Sequence, residues 1–171
     1  MNYTKLILIA FGLLETLNVS AQSSKLIDKP APDIYFTDVL NDAKSSYKLS
    51  DFKGKLVIIE FWATWCGHCI NSLPHLAKWQ KKYSKTIKII TISTDGKSRL
   101  QKFLHTKSLE LPVVMDSLGE YRKYFPHFEL PHTVIIDQKG FVKSITAGDK
   151  LNDKDIDLLI HGKNPILPLK E

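Results

Sequence analysis

A chain of 171 residues with net charge +6, 43% hydrophobic and 25% charged residues, has the make-up of an ordinary globular protein and the length of one domain. Its lysines are scattered, with small groups only at Lys78–Lys82 and Arg122-Lys123. No basic stripe is interleaved with aromatics, which argues against a nucleic-acid partner; the charge reads as solubility with a weak pull on acidic clients or anionic surfaces.

The N-terminal segment stands apart. Lys5 precedes the apolar run Leu6–Leu14, and Val19-Ser20-Ala21 offers the small residues that a signal peptidase reads. Residues 1–21 are therefore expected to be a secretory signal cleaved after Ala21. The run is shorter than the roughly twenty apolar residues of a spanning helix, and an uncleaved N-terminal anchor is the alternative. The expected location is the periplasm or cell envelope, where disulfides form and persist.

Residues 22–32 form a polar lead-in that ends in Pro30-Ala31-Pro32. Asp33–Thr37 reads as a strand, Asn41-Asp42 as a turn and Tyr47–Leu49 as a returning strand. Ser50–Lys55 is a connector closed by Gly54, and Leu56–Trp62 is near-continuously apolar, the mark of a central strand buried on both faces. After the cysteines, Ile70, Leu73, Leu76 and Tyr83 recur at helical spacing, with Pro74 expected to kink the helix. Ile87–Ile92 is a second buried strand. A helix starting near Asp95-Gly96 carries Leu100, Phe103 and Leu104, and Pro112–Met115 is a short strand. Leu118, Tyr121, Tyr124 and Phe125 suggest a short helix. Thr133–Asp137 and Phe141–Ile145 flank a glycine turn as a hairpin. A last helix runs from an Asn152 cap to Gly162, followed by a tail at 163–171. The alternation implies an α/β sandwich with a mixed sheet over residues 33–162.

The only two cysteines, Cys66 and Cys69, lie where the central strand hands over to the first helix. A helix N-terminus offers unpaired N–H groups and the positive end of the dipole, and both stabilise a thiolate, which is the nucleophilic form. The pattern therefore points to dithiol–disulfide chemistry. A structural staple fits less well, because a bridge over so short a loop removes little entropy from the unfolded chain. Zinc would need further ligands from His75, His105, His127, His132 or His161. His127 and His132 have a suitable interval, but Pro126 and Pro131 prevent one helix from presenting both rings. Covalent haem attachment lacks its histidine, since Ile70 follows Cys69. A peroxidase would want a lone cysteine outside the pair.

Three motifs, Leu49–Lys55, Phe61–Cys69 and Leu130–Asp137, resemble the thioredoxin superfamily, and most closely its exported TlpA/ResA-type thiol–disulfide oxidoreductases. The resemblance covers roughly residues 30–160 and implies a thioredoxin fold, a mixed central sheet flanked by helices, with an N-terminal β-hairpin and a central helix–strand insertion. It implies Cys66 as the attacking thiol, Cys69 as the resolving thiol and Pro131 as the family's cis-proline. Glu60 takes the place of a buried acid behind Cys69; burial should raise its pKa and suit it to exchange a proton there. Trp65 and Leu130-Pro131 would form an apolar rim for the client, while Trp62 is core.

Gly67 and His68 make the dipeptide of disulfide isomerases. A protonated His68 would stabilise the Cys66 thiolate and make the disulfide more oxidising. Thioredoxin and disulfide isomerase differ by about 90 mV, or about 4 kcal/mol, of which one solvent-facing histidine supplies only part. The expected function is exchange with cysteines of exported client proteins, as a reductase of the cytochrome c maturation type fed by a membrane or envelope thiol donor. Isomerase or oxidase action, or a zinc- or haem-handling module, is the alternative. No cofactor beyond the redox-active disulfide and no resident metal is expected.

Overall fold

The computed structural model describes residues 25–169; the expected signal segment and the start of the lead-in lie outside them. The elements are β1 (Tyr35–Phe36), β2 (Val39–Leu40), β3 (Tyr47–Lys48), β4 (Leu56–Trp62), α1 (Gly67–Lys82), β5 (Ile87–Ser93), α2 (Lys97–Lys107), β6 (Val113–Met115), β7 (His132–Ile136), β8 (Val142–Thr146) and α3 (Asp153–Ile160). A six-stranded mixed sheet has the order β2-β6-β5-β4-β7-β8, with β4, β5 and β6 parallel and the outer pairings antiparallel. β1 and β3 pair separately as the expected N-terminal hairpin.

Because successive side chains of a strand point to opposite faces, β4 divides the core. Leu56, Ile58 and Trp62 pack with Leu73, Leu76 and Trp79 of α1, Leu100 of α2 and Ile156 of α3. Val57, Ile59 and Phe61 pack on the other face with Phe36, Tyr47, Leu49 and Phe125. Glu60 shares the parity of Ile58 and Trp62, so it is aimed at the α1 face. Trp62 is buried as expected. Asn152 caps α3, accepting the N–H groups of Lys154 and Asp155, and the tail returns to the body, with Leu167 against the core and Thr146 donating to the Pro168 carbonyl.

Two expectations need correction. The segment between the hairpin strands is more than a turn: Val39–Leu40 pairs with β6 and forms the sheet edge. Asp38 and Asn41 flank it in left-handed conformations, which short polar side chains tolerate. The expected helix around 118–125 is only a 3-10 turn at Glu120–Lys123. Asp116 accepts the N–H groups of Glu120 and Tyr121 at 2.7 and 3.1 Å and so starts the turn, but Pro126 disfavours helical backbone at Phe125 and the turn goes no further. The apolar spacing there records the burial of Phe125, not a helix face.

Candidate active site

Cys66 is the N-cap residue of α1 and is disulfide-bonded to Cys69. Its extended backbone sets up the first turn, and the Cys69 N–H points at Cys66 Sγ at 3.2 Å. The approach to this cap is fixed twice. Cys66 N–H donates to the Ala63 carbonyl, and Thr64 N–H donates to the buried Asp95 carboxylate at 2.6 Å. Cys66 retains 6% exposure and Cys69 none. Of the two cysteines, only Cys66 keeps any surface through which an outside disulfide could approach. Gly67 opens the helix with open space where a side chain would stand.

The Leu130–Pro131 bond is cis. His132 pairs with Phe61, which places Pro131 at the end of the sheet where β4 leads into the cysteines. Leu130 packs against the cluster that contains Cys66 and Cys69. Trp65, just before Cys66, is 70% exposed.

Glu60 lies fully buried behind α1. Ser72 Oγ is 3.0 Å from Glu60 Oε1 and 2.9 Å from the Cys69 carbonyl, so its one proton has two acceptors. The Thr133 hydroxyl donates to Glu60 Oε2. Both partners follow from regular geometry: Ser72 stands one helical turn past Cys69, and Thr133 is the cross-strand partner of Glu60. Gly148 packs so tightly here that a Cβ on it would fall 2.5 Å from Glu60 Oε1.

His68 projects into solvent from the first turn of α1, with Nδ1 3.2 Å from Asp149 Oδ2. Asp149 belongs to the 3-10 turn Gly148–Lys150, between β8 and α3. One short turn thus touches both groups expected to tune the thiols. Ser72, Thr133, Gly148 and Asp149 were not singled out from the sequence; only Ser72, at helical spacing from Cys69, left a local signal.

His127 and His132 do come together, ring centroids 4.6 Å apart and nearly parallel, with Phe61 4.4 Å from His127. A loop brings about what a helix could not. Among the described residues no group of three or more His, Cys, Asp or Glu side chains is placed to hold a metal ion, and no helix is long and apolar enough to cross a membrane.

Comparison with known proteins agrees with this geometry. Residues 27–145 match the AhpC/TSA family. The thioredoxin-like protein YneN of Bacillus subtilis is 34% identical over 69% of this chain and 69% of its own length. The thiol–disulfide oxidoreductase ResA of Bacillus cereus is 31% identical over 79% of this chain and 78% of its own. A Chlorobium tepidum structure assigned as the thiol:disulfide interchange protein DsbE superposes with a TM-score of 0.65 at 28% identity, covering 78% of this chain and 94% of that one. With the disulfide at the head of α1, the cis bond at Pro131 and these relatives, the chain belongs to the AhpC/TSA family and is a thiol–disulfide oxidoreductase of thioredoxin fold.

Proposed function

We propose that the protein works in the cell envelope as a reductase of disulfides in exported client proteins, in the manner of cytochrome c maturation. The observation that carries the exchange chemistry is the asymmetric pair: Cys66 at the helix N-terminus, a residue that keeps some exposure, and Cys69 sealed behind it. The Cys66 thiolate attacks one sulfur of the client disulfide, forming a mixed disulfide and expelling the first client thiolate. Cys69 then gives its proton to Glu60, attacks Cys66 Sγ and expels the second client thiolate. Two electrons pass to the client and the Cys66–Cys69 bond closes. An envelope or membrane thiol donor restores the dithiol. Export rests on the signal-like N-terminus.

The direction is favoured by the pairing of His68. An imidazolium alone would stabilise the Cys66 thiolate and bias the disulfide toward oxidation. Asp149, which also faces Lys150 at 3.9 Å, sets a negative charge 3.2 Å from that ring and offsets part of the bias. Trp65 and Leu130-Pro131 hold the client backbone and its apolar side chains beside the sulfur.

Equilibrium with glutathione tests the reading. A potential near about −270 mV, that of thioredoxin, is expected; one near about −180 mV would make the protein an oxidant or isomerase instead. Stoichiometric zinc surviving dialysis of the reduced protein would overturn the exchange reading.

A further inference from the structure

We propose that a groove beside the disulfide, walled by Trp65, Leu118, Arg122 and Phe128, selects client segments that carry an apolar side chain and a carboxylate close to the reacting cysteine. The proposal rests on the exchange reading and adds the chemistry of the client.

Large apolar side chains exposed singly on a surface are ordinary, whereas several lining one concavity mark a binding site. Trp65, Leu118 and Phe128 are 70%, 86% and 57% exposed, and all three line one groove of about 300 Å³. Leu130 and His127 are among its other lining residues. One end of the groove is therefore tied to the thiols: Trp65 adjoins Cys66, and Leu130 adjoins the cis proline. The far wall comes from the β6–β7 connection, in which Leu118 follows Asp116 and Phe128 precedes the strand. An extended chain bound at Cys66 would lay its neighbouring side chains along this wall.

Charge narrows the occupant. The Arg122 guanidinium lies 4.7 Å over the Phe128 ring, exposed and in none of the ion pairs found among the described residues. Cation–π attraction keeps the guanidinium at this ring, and its fork of donors can take a carboxylate through two parallel hydrogen bonds. Asp116 is the lining carboxylate, and it is buried and occupied by the Glu120 and Tyr121 N–H groups. Glu120 and Glu129, near in sequence, do not line the groove. The net charge of +6 acts in the same direction at longer range.

The test uses two short peptides, each with one cysteine held as a mixed disulfide with a chromogenic thiol. Both carry a phenylalanine beside the cysteine; one adds a glutamate, the other a lysine. The reduced parent should react with the glutamate peptide about fivefold faster, as expected for one exposed ion pair, and Arg122→Glu should reverse that ratio. Leu118→Ser should slow both peptides, while Phe141→Ser, at the opposite end of the sheet, should keep the parent ratio. Equal rates for the two peptides, or a ratio unmoved by Arg122→Glu, would overturn the proposal. So would a dimer that Leu118→Ser dissolves, since a second copy would then own the groove. Glutathione disulfide is too small to need the groove, so a parent that fails to reduce it would defeat the exchange reading itself.

Discussion

Replacing Gly148 by alanine probes the packing around the buried acid with a single methyl group. The added Cβ would lie 2.5 Å from Glu60 Oε1 and 2.9 Å from Oε2, closer than such atoms approach. A carboxylate at the end of a free side chain would swing aside. This one is buried and held by the Ser72 and Thr133 hydroxyls, so swinging aside means losing at least one hydrogen bond to it. Overpacking costs about 1–3 kcal/mol and leaving a buried polar group without its hydrogen bond about 1–3 kcal/mol, and these are alternative routes to relief rather than additive ones. Gly148→Ala should therefore destabilise the oxidised protein by about 2 kcal/mol, which lowers Tm by about 4–8 °C in a chain of this size. Urea unfolding measures it directly. A double-mutant cycle isolates the cause: with Glu60→Ala as background the methyl group has room, and the cost should fall by at least about 1 kcal/mol. Equal costs in the two backgrounds would refute the reasoning, because the turn itself would then be what alanine disturbs.

Three further outcomes follow from the site. Cys66→Ser should abolish exchange, while Cys69→Ser should accumulate mixed disulfides visible as client adducts on non-reducing gels; a Cys69→Ser protein that turns clients over at the parental rate would remove its resolving role. Asp149→Asn takes a negative charge from beside His68, leaving the surroundings of Cys66 more positive whatever fraction of the imidazole is protonated. The disulfide should become more oxidising by about 10–20 mV, corresponding to an exposed pair worth up to about 1 kcal/mol, as read from glutathione equilibrium. Asp153, accepting from Trp79 Nε1 at 2.6 Å with Lys78 alongside, has its pKa held below the ordinary 3.8 by that hydrogen bond first and the lysine second. Its stabilisation is complete above that value and fades as pH falls through the lowered pKa. Asp153→Asn should therefore show a smaller drop in urea midpoint between neutral and strongly acidic pH than the parent.

The reactive pair was legible from local pattern alone: an apolar run, two cysteines and a helical period, each set by a few consecutive residues. The hairpin of β7 and β8 and the cap at Asn152 were legible for the same reason. Pattern misled at residues 118–125, where apolar spacing suggested a helix but the chain makes one 3-10 turn before Phe125-Pro126, and the residue before a proline is driven away from helical backbone. It was silent where pairing was distant: β2 against β6, and the wall of Leu118, Arg122 and Phe128 facing Trp65. Glu60 shows the division most plainly. The sequence by itself determined that a carboxylate sits in an apolar strand and must be satisfied. Its hydroxyl partner Thr133, 73 residues away, comes from the register of β4 on β7, and its contact with Gly148 from the path of the turn after β8. Element type follows from short-range periodicity, but a buried group's partners depend on which strands meet and in what register, and only the tertiary structure decides that.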